Sequence, residues 1–205
     1  MTAKLLVATG NKGKLAELAR LFAGLDLELV SLRDVAIDQD VVEDADTFHG
    51  NARKKAVELA RRSGLLTLAD DSGLEVDALG GAPGVLSARY AGEGAGDEAN
   101  NTKLLEALRD VPDEKRTARF RCVLSLADAE GHELVHTEGA CEGLIVHAPR
   151  GTNGFGYDPL FVPTGETRTM AELDPEEKHA RSHRGAASRA MRDELASRVP
   201  GRRSA

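Results

Sequence analysis

"KLLVATGNKGKLAEL", residues 4–18, carries the first decision about the fold. Lys4 to Ala8 is an apolar run of strand length, and Thr9-Gly10-Asn11-Lys12-Gly13-Lys14 breaks it with turn residues. Leu15, Leu18, Ala19 and Phe22 then recur at i, i+3, i+4 and i+7, one face of a helix that ends near Gly24. A buried strand, a glycine turn and a helix in that order open an α/β fold. The turn also has the makings of an anion site. Backbone N–H groups at a helix N-terminus point outward, and the helix dipole favours negative charge. Lys12 and Lys14 add positive charge, Asn11 adds an amide, and Gly10 and Gly13 let the backbone approach a ligand closely. The stretch is not the G-x-x-x-x-G-K-[ST] pattern, because its glycines are too close and Leu15 stands where Ser or Thr would hold magnesium. An ordinary strand-to-helix turn with two surface lysines fits the same residues.

Outward from that stretch, strands and helices alternate. Leu27 to Leu32 reads as a second strand, and Val35 to Asp46 is acidic and irregular. Thr47 can cap a helix that runs to about Ser63, with Ala52, Ala56, Leu59 and Ala60 on one face. Leu65 to Ala69 is a third strand that leads straight into Asp70-Asp71-Ser72-Gly73. "GGAPG", Gly80 to Gly84, is turn-rich, and a glycine-rich stretch from Gly92 to Gly96 precedes a helix from about Asp97 to Arg109. Phe120, Cys122, Leu124 and Leu126 alternate with Arg119, Arg121, Val123 and Ser125, as in a half-buried strand. Asp128-Ala129-Glu130-Gly131 turns the chain back into extended structure from His132 to Ala148. "GTNGFGYDP", Gly151 to Pro159, is a second glycine loop, and from Pro175 the composition is helical, with Gly185 as punctuation before a final helix. The hairpin around Asp128 points to a mixed sheet rather than an all-parallel one. One α/β domain over residues 1–198, followed by a disordered tail at 199–205, is the expected organisation.

The 205 residues suffice for one full domain, and 41% hydrophobic with 30% charged residues excludes a disordered chain. No apolar run approaches the roughly 18 residues of a membrane-spanning helix. The apolar run near Met1 is too short for a secretory signal, so a cytoplasmic protein is expected. Cys122 and Cys141 lack metal-ligand spacing and lie in strand-like runs, as buried free thiols would. From Lys178 onward there are eight Lys/Arg and two Asp/Glu, although the whole chain carries a net charge of −7. The acidic body argues against general nucleic-acid binding, whereas the basic segment suits either a small polyanion or a solvated helix face.

Four further stretches hold candidate chemistry. Asp70 and Asp71 lie next to a strand end, where α/β ligand sites cluster, and adjacent carboxylates can bind a divalent cation or position a water. A solvated Asp-Ser-Gly turn is the competing reading. The acidic segment "DQDVVEDAD", Asp38 to Asp46, offers further metal ligands that spacing does not separate. Phe155, Tyr157 and Phe161 concentrate three of seven aromatic residues in one loop and its exit. Such a ring can stack on a base, with Asp158 at a base edge, or can simply anchor the loop to the core. Ser182-His183-Arg184, with Lys178 before it, offers donors to base carbonyls, or else a charged helix surface.

Taken in order, "TGNKGK", "TFHGNARKKA", "ADDSGLEVDALGGAPGVLSARYAG", "GFGYDPLF" and "EEKHARSHRG" resemble the RdgB/HAM1 family, the inosine/xanthosine triphosphate pyrophosphatases. The resemblance runs from about Lys4 to Arg198, and the block from Ala69 to Gly92 is its most specific part. It implies an elongated mixed twisted sheet flanked by helices, with two lobes around a central nucleotide cleft, and a homodimer. It implies Mg²⁺-dependent hydrolysis of XTP, ITP and dITP to the monophosphate and pyrophosphate. The family's triphosphate loop falls on Thr9, Gly10, Asn11, Lys12, Gly13 and Lys14, and a basic phosphate-facing position on Lys55. Its catalytic, metal-linked aspartate falls on Asp71, with Ser72 contacting substrate, and its upstream metal ligand falls on Glu43, with Asp44 as the alternative. Base and sugar contacts fall on Phe155, Gly156, Tyr157, Asp158, Lys178, His183 and Arg184. Where the family usually has "TFEENA" the chain has "TFHGNA", with His49 and Gly50 in the places of the two acids.

These residues suggest a mechanism. Glu43, Asp70 and Asp71 would hold Mg²⁺, Asp71 would orient and deprotonate the attacking water, and Lys12, Lys14, Lys55 and the loop amides would hold the phosphates. Donors from His183, Arg184 and the loop backbone at position 6 of the base would accept a 6-oxo group and reject adenine, a buried mismatch worth several powers of ten. Nothing in the chain identifies what would exclude guanine. Two alternatives compete. A pyrophosphatase of the septum-formation Maf type lacks the "SHRG" and "GFGYDP" stretches, and a nucleotide sensor without catalysis does not require Glu43, Asp71 and Lys14 together.

Overall fold

The computed structural model describes residues 3–10, 12–38 and 41–198. The expected tail at 199–205 lies outside the described residues. A six-stranded sheet runs in the order β2-β1-β3-β4-β5-β6, formed by Ala3–Ala8, Leu27–Ser31, Leu66–Val76, Thr117–Ala127, Glu133–Ile145 and Phe161–Pro163 for β1 to β6. β1 pairs in parallel with both β2 and β3, while β5 and β6 are antiparallel, so the sheet is mixed as its sequence suggests. The helices are α1 (Lys12–Leu21), α2 (Phe48–Ser63), α3 (Gly96–Ala107), α4 (Pro175–Arg181) and α5 (His183–Arg198). Among the described residues no helix is long and apolar enough to cross a membrane.

The chain divides into two compact units. The first takes in residues 1–71, 123–138 and 186–205. Its core gathers Leu6 and Ala8 of β1, Val30 of β2, Ala56, Leu59 and Ala60 of α2, and Ala69 of β3. α2 begins where its sequence directs. Thr47 is extended and its Oγ1 accepts the Gly50 N–H at 3.0 Å, a cap worth about 1 kcal/mol. It ends at Gly64, whose left-handed backbone (φ 66°) returns an N–H to the Ala60 carbonyl.

The second unit takes in residues 72–122 and 139–185. Leu74, Val76, Leu104, Leu108, Phe120, Ile145, Tyr157, Leu160 and Phe161 form its core, with the Phe120 and Phe161 rings 4.6 Å apart. Arg116 is buried here, with Asp113 as a nearby opposite charge. Its guanidinium donates to the carbonyls of Leu108, Ile145 and Val146, which closes the C-terminal end of α3 onto β5. Cys122 and Cys141 are buried free thiols, and burial pushes Cys141 up to about 11.

Three elements differ from their sequence reading. β3 does not stop at Ala69 but continues to Val76, so Asp70-Asp71-Ser72-Gly73 is strand rather than turn. β4 alternates only up to Cys122 and is then buried at every residue to Ala127, because it lies between β3 and β5 inside the sheet. Gly185 sits inside α5, and the break between the last two helices is at Ser182. Ser182 has extended backbone, and its hydroxyl accepts the Gly185 N–H at 3.0 Å.

Candidate functional site

Parallel pairing of β1 with β3 sets the first cluster. The last paired residues are Ala8 and Ala69, so Asp70 comes level with Thr9, where the chain leaves the sheet. α1 opens at Lys12, and Lys14 in its first turn brings Nζ to 2.9 Å from Asp70 Oδ2. Gly10 is exposed, and a Cβ built there would meet nothing within 4 Å. Asn11 and the Lys12 side chain lie outside the described residues.

Asp71, one residue further along β3, turns to a different partner. Asn51 of α2, fully buried, donates Nδ2–H to Asp71 Oδ2 at 3.1 Å and accepts the Ala45 N–H on Oδ1 at 2.9 Å. One amide therefore orients the carboxylate and fixes the acidic segment. Four residues along the same helix face, Lys55 Nζ donates to Glu43 Oε1 at 2.7 Å. Asp44 instead reaches Lys54 Nζ and is mostly exposed, so of Glu43 and Asp44 it is Glu43 that joins the cluster. Gly50 fits closely against the segment, since a Cβ there would stand 2.7 Å from the Ala45 Cβ.

Three carboxylates thus face two ammonium groups, with Asp70 and Asp71 both buried. Burial, aided by Glu43, lifts the Asp71 carboxyl above the usual range against the pull of Lys55, Asn51 and Lys14. Burial works against the Lys55 ammonium, but Asp70, Glu43 and Asp71 together hold its pKa above the ordinary value. A carboxylate whose proton affinity is raised in this way is a better general base than a solvated one.

The second cluster lies in the other unit, around the loop from Gly151 to Pro159. Asp158 is buried, and its Oδ2 accepts the Phe155 N–H at 2.8 Å and pairs with Lys178 Nζ at 2.7 Å. That carboxylate oxygen shapes the loop. Gly154 is required here: its φ is 79°, and a Cβ would lie 2.1 Å from the same Asp158 oxygen. Asp97 and Asn101 of α3 hold Gly156 from both sides, accepting its N–H at 2.6 Å and donating to its carbonyl at 3.0 Å. Tyr157 lies in the core and donates its hydroxyl to the Ser87 carbonyl, so its ring anchors the loop. Phe155 is left half-buried, with Lys178 Nζ at 4.8 Å and the Arg184 guanidinium carbon at 5.5 Å from its ring centre. Arg184 donates to Ser72 Oγ at 2.9 Å, and His183 stacks on Phe120 at 4.8 Å.

The sequence-predicted residues therefore fall into two groups: Lys14, Glu43, Lys55, Asp70 and Asp71 in one unit, and Ser72, Phe155 to Asp158, Lys178, His183 and Arg184 in the other. Asn51, Asp97 and Asn101 were not among them. Asn51 was legible as the i−4 neighbour of Lys55 on one helix face, but Asp97 and Asn101 act on a loop more than fifty residues away, with no local signal.

A family profile described as Ham1 family matches residues 5–194. A dITP/XTP pyrophosphatase from Geobacter sulfurreducens is 53% identical over 192 residues, 94% of this chain and 96% of its own. One from Shigella flexneri is 50% identical over 193 residues, covering 94% and 98%. Among solved structures, a HAM1 protein from Coxiella burnetii has a TM-score of 0.88 at 42% identity, covering 95% of this chain and 99% of its own. A nucleoside-triphosphatase / dITP/XTP pyrophosphatase from Mycobacterium abscessus has a TM-score of 0.74 at 50% identity, covering 96% and 98%.

Proposed function

The chain belongs to the Ham1 family, and from that premise we propose how it hydrolyses non-standard purine nucleoside triphosphates, XTP, ITP and dITP, to the monophosphate and pyrophosphate. One observation carries the chemistry: Asp71 is buried, oriented by Asn51, and surrounded by Glu43, Lys14 and Lys55. Asp71 orients a water toward the α-phosphorus and takes its proton, a role suited to its raised pKa. No side-chain nucleophile is needed, because phosphoryl transfer depends mainly on positioning and charge stabilisation.

The donor set fits a small hard cation. Glu43, Asp70 and Asp71 offer only oxygen ligands, and their negative charge exceeds that of the two lysines beside them. Mg²⁺ on these carboxylates would supply charge neutralisation at the phosphate oxygens. Lys14 and Lys55, which pair with Asp70 and Glu43 here, are placed to exchange those partners for phosphate oxygens. Thr9 to Gly13, the stretch that leads from β1 into α1, are assigned to the triphosphate as well. In the other unit, Phe155 stacks on the base, and Lys178, His183, Arg184 and Ser72, with the loop backbone at Gly156 and Tyr157, serve base and sugar. Donors at the 6-oxo position set selection against adenine. Membership of the family also supports one catalytic domain over residues 1–198, a homodimer and a cytoplasmic place of work.

The test is pyrophosphate release from ITP, XTP, dITP, GTP and ATP with Mg²⁺. ITP, XTP and dITP should be cleaved far faster than GTP and ATP. Equal rates across the five would defeat the assignment.

A further inference from the structure

Apart from the residues given to the reaction, the first unit holds a cluster of two imidazoles and a carboxylate. His49 lies in the first turn of α2, and Glu133 and His136 lie at the start of β5. His49 Nε2 is 2.9 Å from Glu133 Oε1, and the His49 and His136 rings are 4.0 Å apart, tilted by 31°. One ligand atom from each of the three lies within 4.8 Å of the others. Ser125 donates to Glu133 Oε1 at 2.8 Å, and Arg53 Nε is 3.3 Å from Oε2. The carboxylate is thus fixed with Oε1 toward the imidazoles and Oε2 toward the arginine.

We propose that His49, Glu133 and His136 form a site for a borderline divalent cation of the zinc class, separate from the carboxylate cluster around Asp71. Two imidazoles and one carboxylate suit Zn²⁺, Ni²⁺ or Co²⁺, whereas Mg²⁺ prefers the all-oxygen set elsewhere in the unit. Ligands on a tetrahedral zinc, at about 2.0–2.2 Å from the metal, stand roughly 3.3–3.5 Å apart. The 2.9 Å hydrogen bond between His49 and Glu133 must therefore open slightly as the metal replaces the shared proton, and His136, which is exposed, must swing inward. With three protein ligands the fourth position falls to water. Such a metal would join the first turn of α2 to β5, and α2 is the helix that carries Asn51 and Lys55.

Zn²⁺ titrated into the full chain by calorimetry, in excess Mg²⁺, should bind one equivalent, and melting should rise with zinc concentration as linkage requires. His136→Ala changes an exposed side chain and should weaken zinc binding by about a hundredfold, as loss of a ligand or its support does in metal sites. His49→Ala should do the same, while both variants keep Mg²⁺-supported pyrophosphate release. Co²⁺ bound by the native chain should give the strong visible bands of a low-coordinate nitrogen-containing site, absent in His136→Ala. Zinc binding that is unchanged in His136→Ala but lost in Asp71→Asn would place the metal in the carboxylate cluster and overturn the proposal, as would the absence of zinc binding.

Discussion

Beside Asp71, each charge is held by a side chain from a separate stretch of chain: Lys14 from α1, Glu43 from the acidic segment, Asn51 and Lys55 from α2, and the aspartates from β3. Around Phe155, the loop is held by one buried ion pair, by two residues of α3 and by the Tyr157 hydroxyl on the Ser87 carbonyl. In the first arrangement Lys14 and Lys55 are each paired with a carboxylate from another stretch of chain. The second is built to stay still, since Asp158 is tied at once to the loop backbone and to Lys178. The charges of the first cluster come from many elements, whereas the loop of the second is fixed by a tight local network around Asp158.

Substitutions can break this contrast, and the largest effect belongs to the first cluster. Asp71→Asn keeps the side-chain volume and should lower kcat by about a thousandfold with little change in KM, read by steady-state pyrophosphate release. A loss below tenfold would remove Asp71 from the role of base. In the second cluster the leading effect should be on stability. Asp158→Asn leaves Lys178 without its carboxylate and should cost about 3–5 kcal/mol in urea unfolding, part of which Lys178→Met should restore in the double variant. If Asp158→Asn is as stable as the native chain, the loop is not locked in the way the geometry indicates.

Phe155→Ala should then sharpen the assignment of the base. Loss of a stacking platform worth about 1–3 kcal/mol should raise KM by about tenfold to a hundredfold for ITP, with kcat nearly intact. The smallest effect is outside both clusters: Thr47→Ala removes the α2 cap and should cost about 1 kcal/mol in thermal unfolding.

What could be read from sequence follows the range of the physics. α2 was legible from Thr47 to Ser63 because caps and periodicity are local. The extent of β3 was not, because Asp70 and Asp71 look like turn residues until Lys14 and Asn51 give their carboxylates partners inside the protein. Gly185 misled in the same way, since the residue that separates α4 from α5 is Ser182, acting through its hydroxyl. The positions matched to the family were legible as candidates, but whether each offers its side chain or its backbone was not. Tyr157 spends its hydroxyl on Ser87, and Asp158 spends an oxygen on its own loop.

Gly50 links the start of α2 to the acidic segment by close contact. Any side chain there would press on Ala45, whose N–H is held by Asn51, the residue that also orients Asp71. A side chain at 50 is therefore coupled, through the backbone of the acidic segment, to the carboxylate that Asn51 orients, although position 50 itself touches neither Asp71 nor Glu43 in the contacts described.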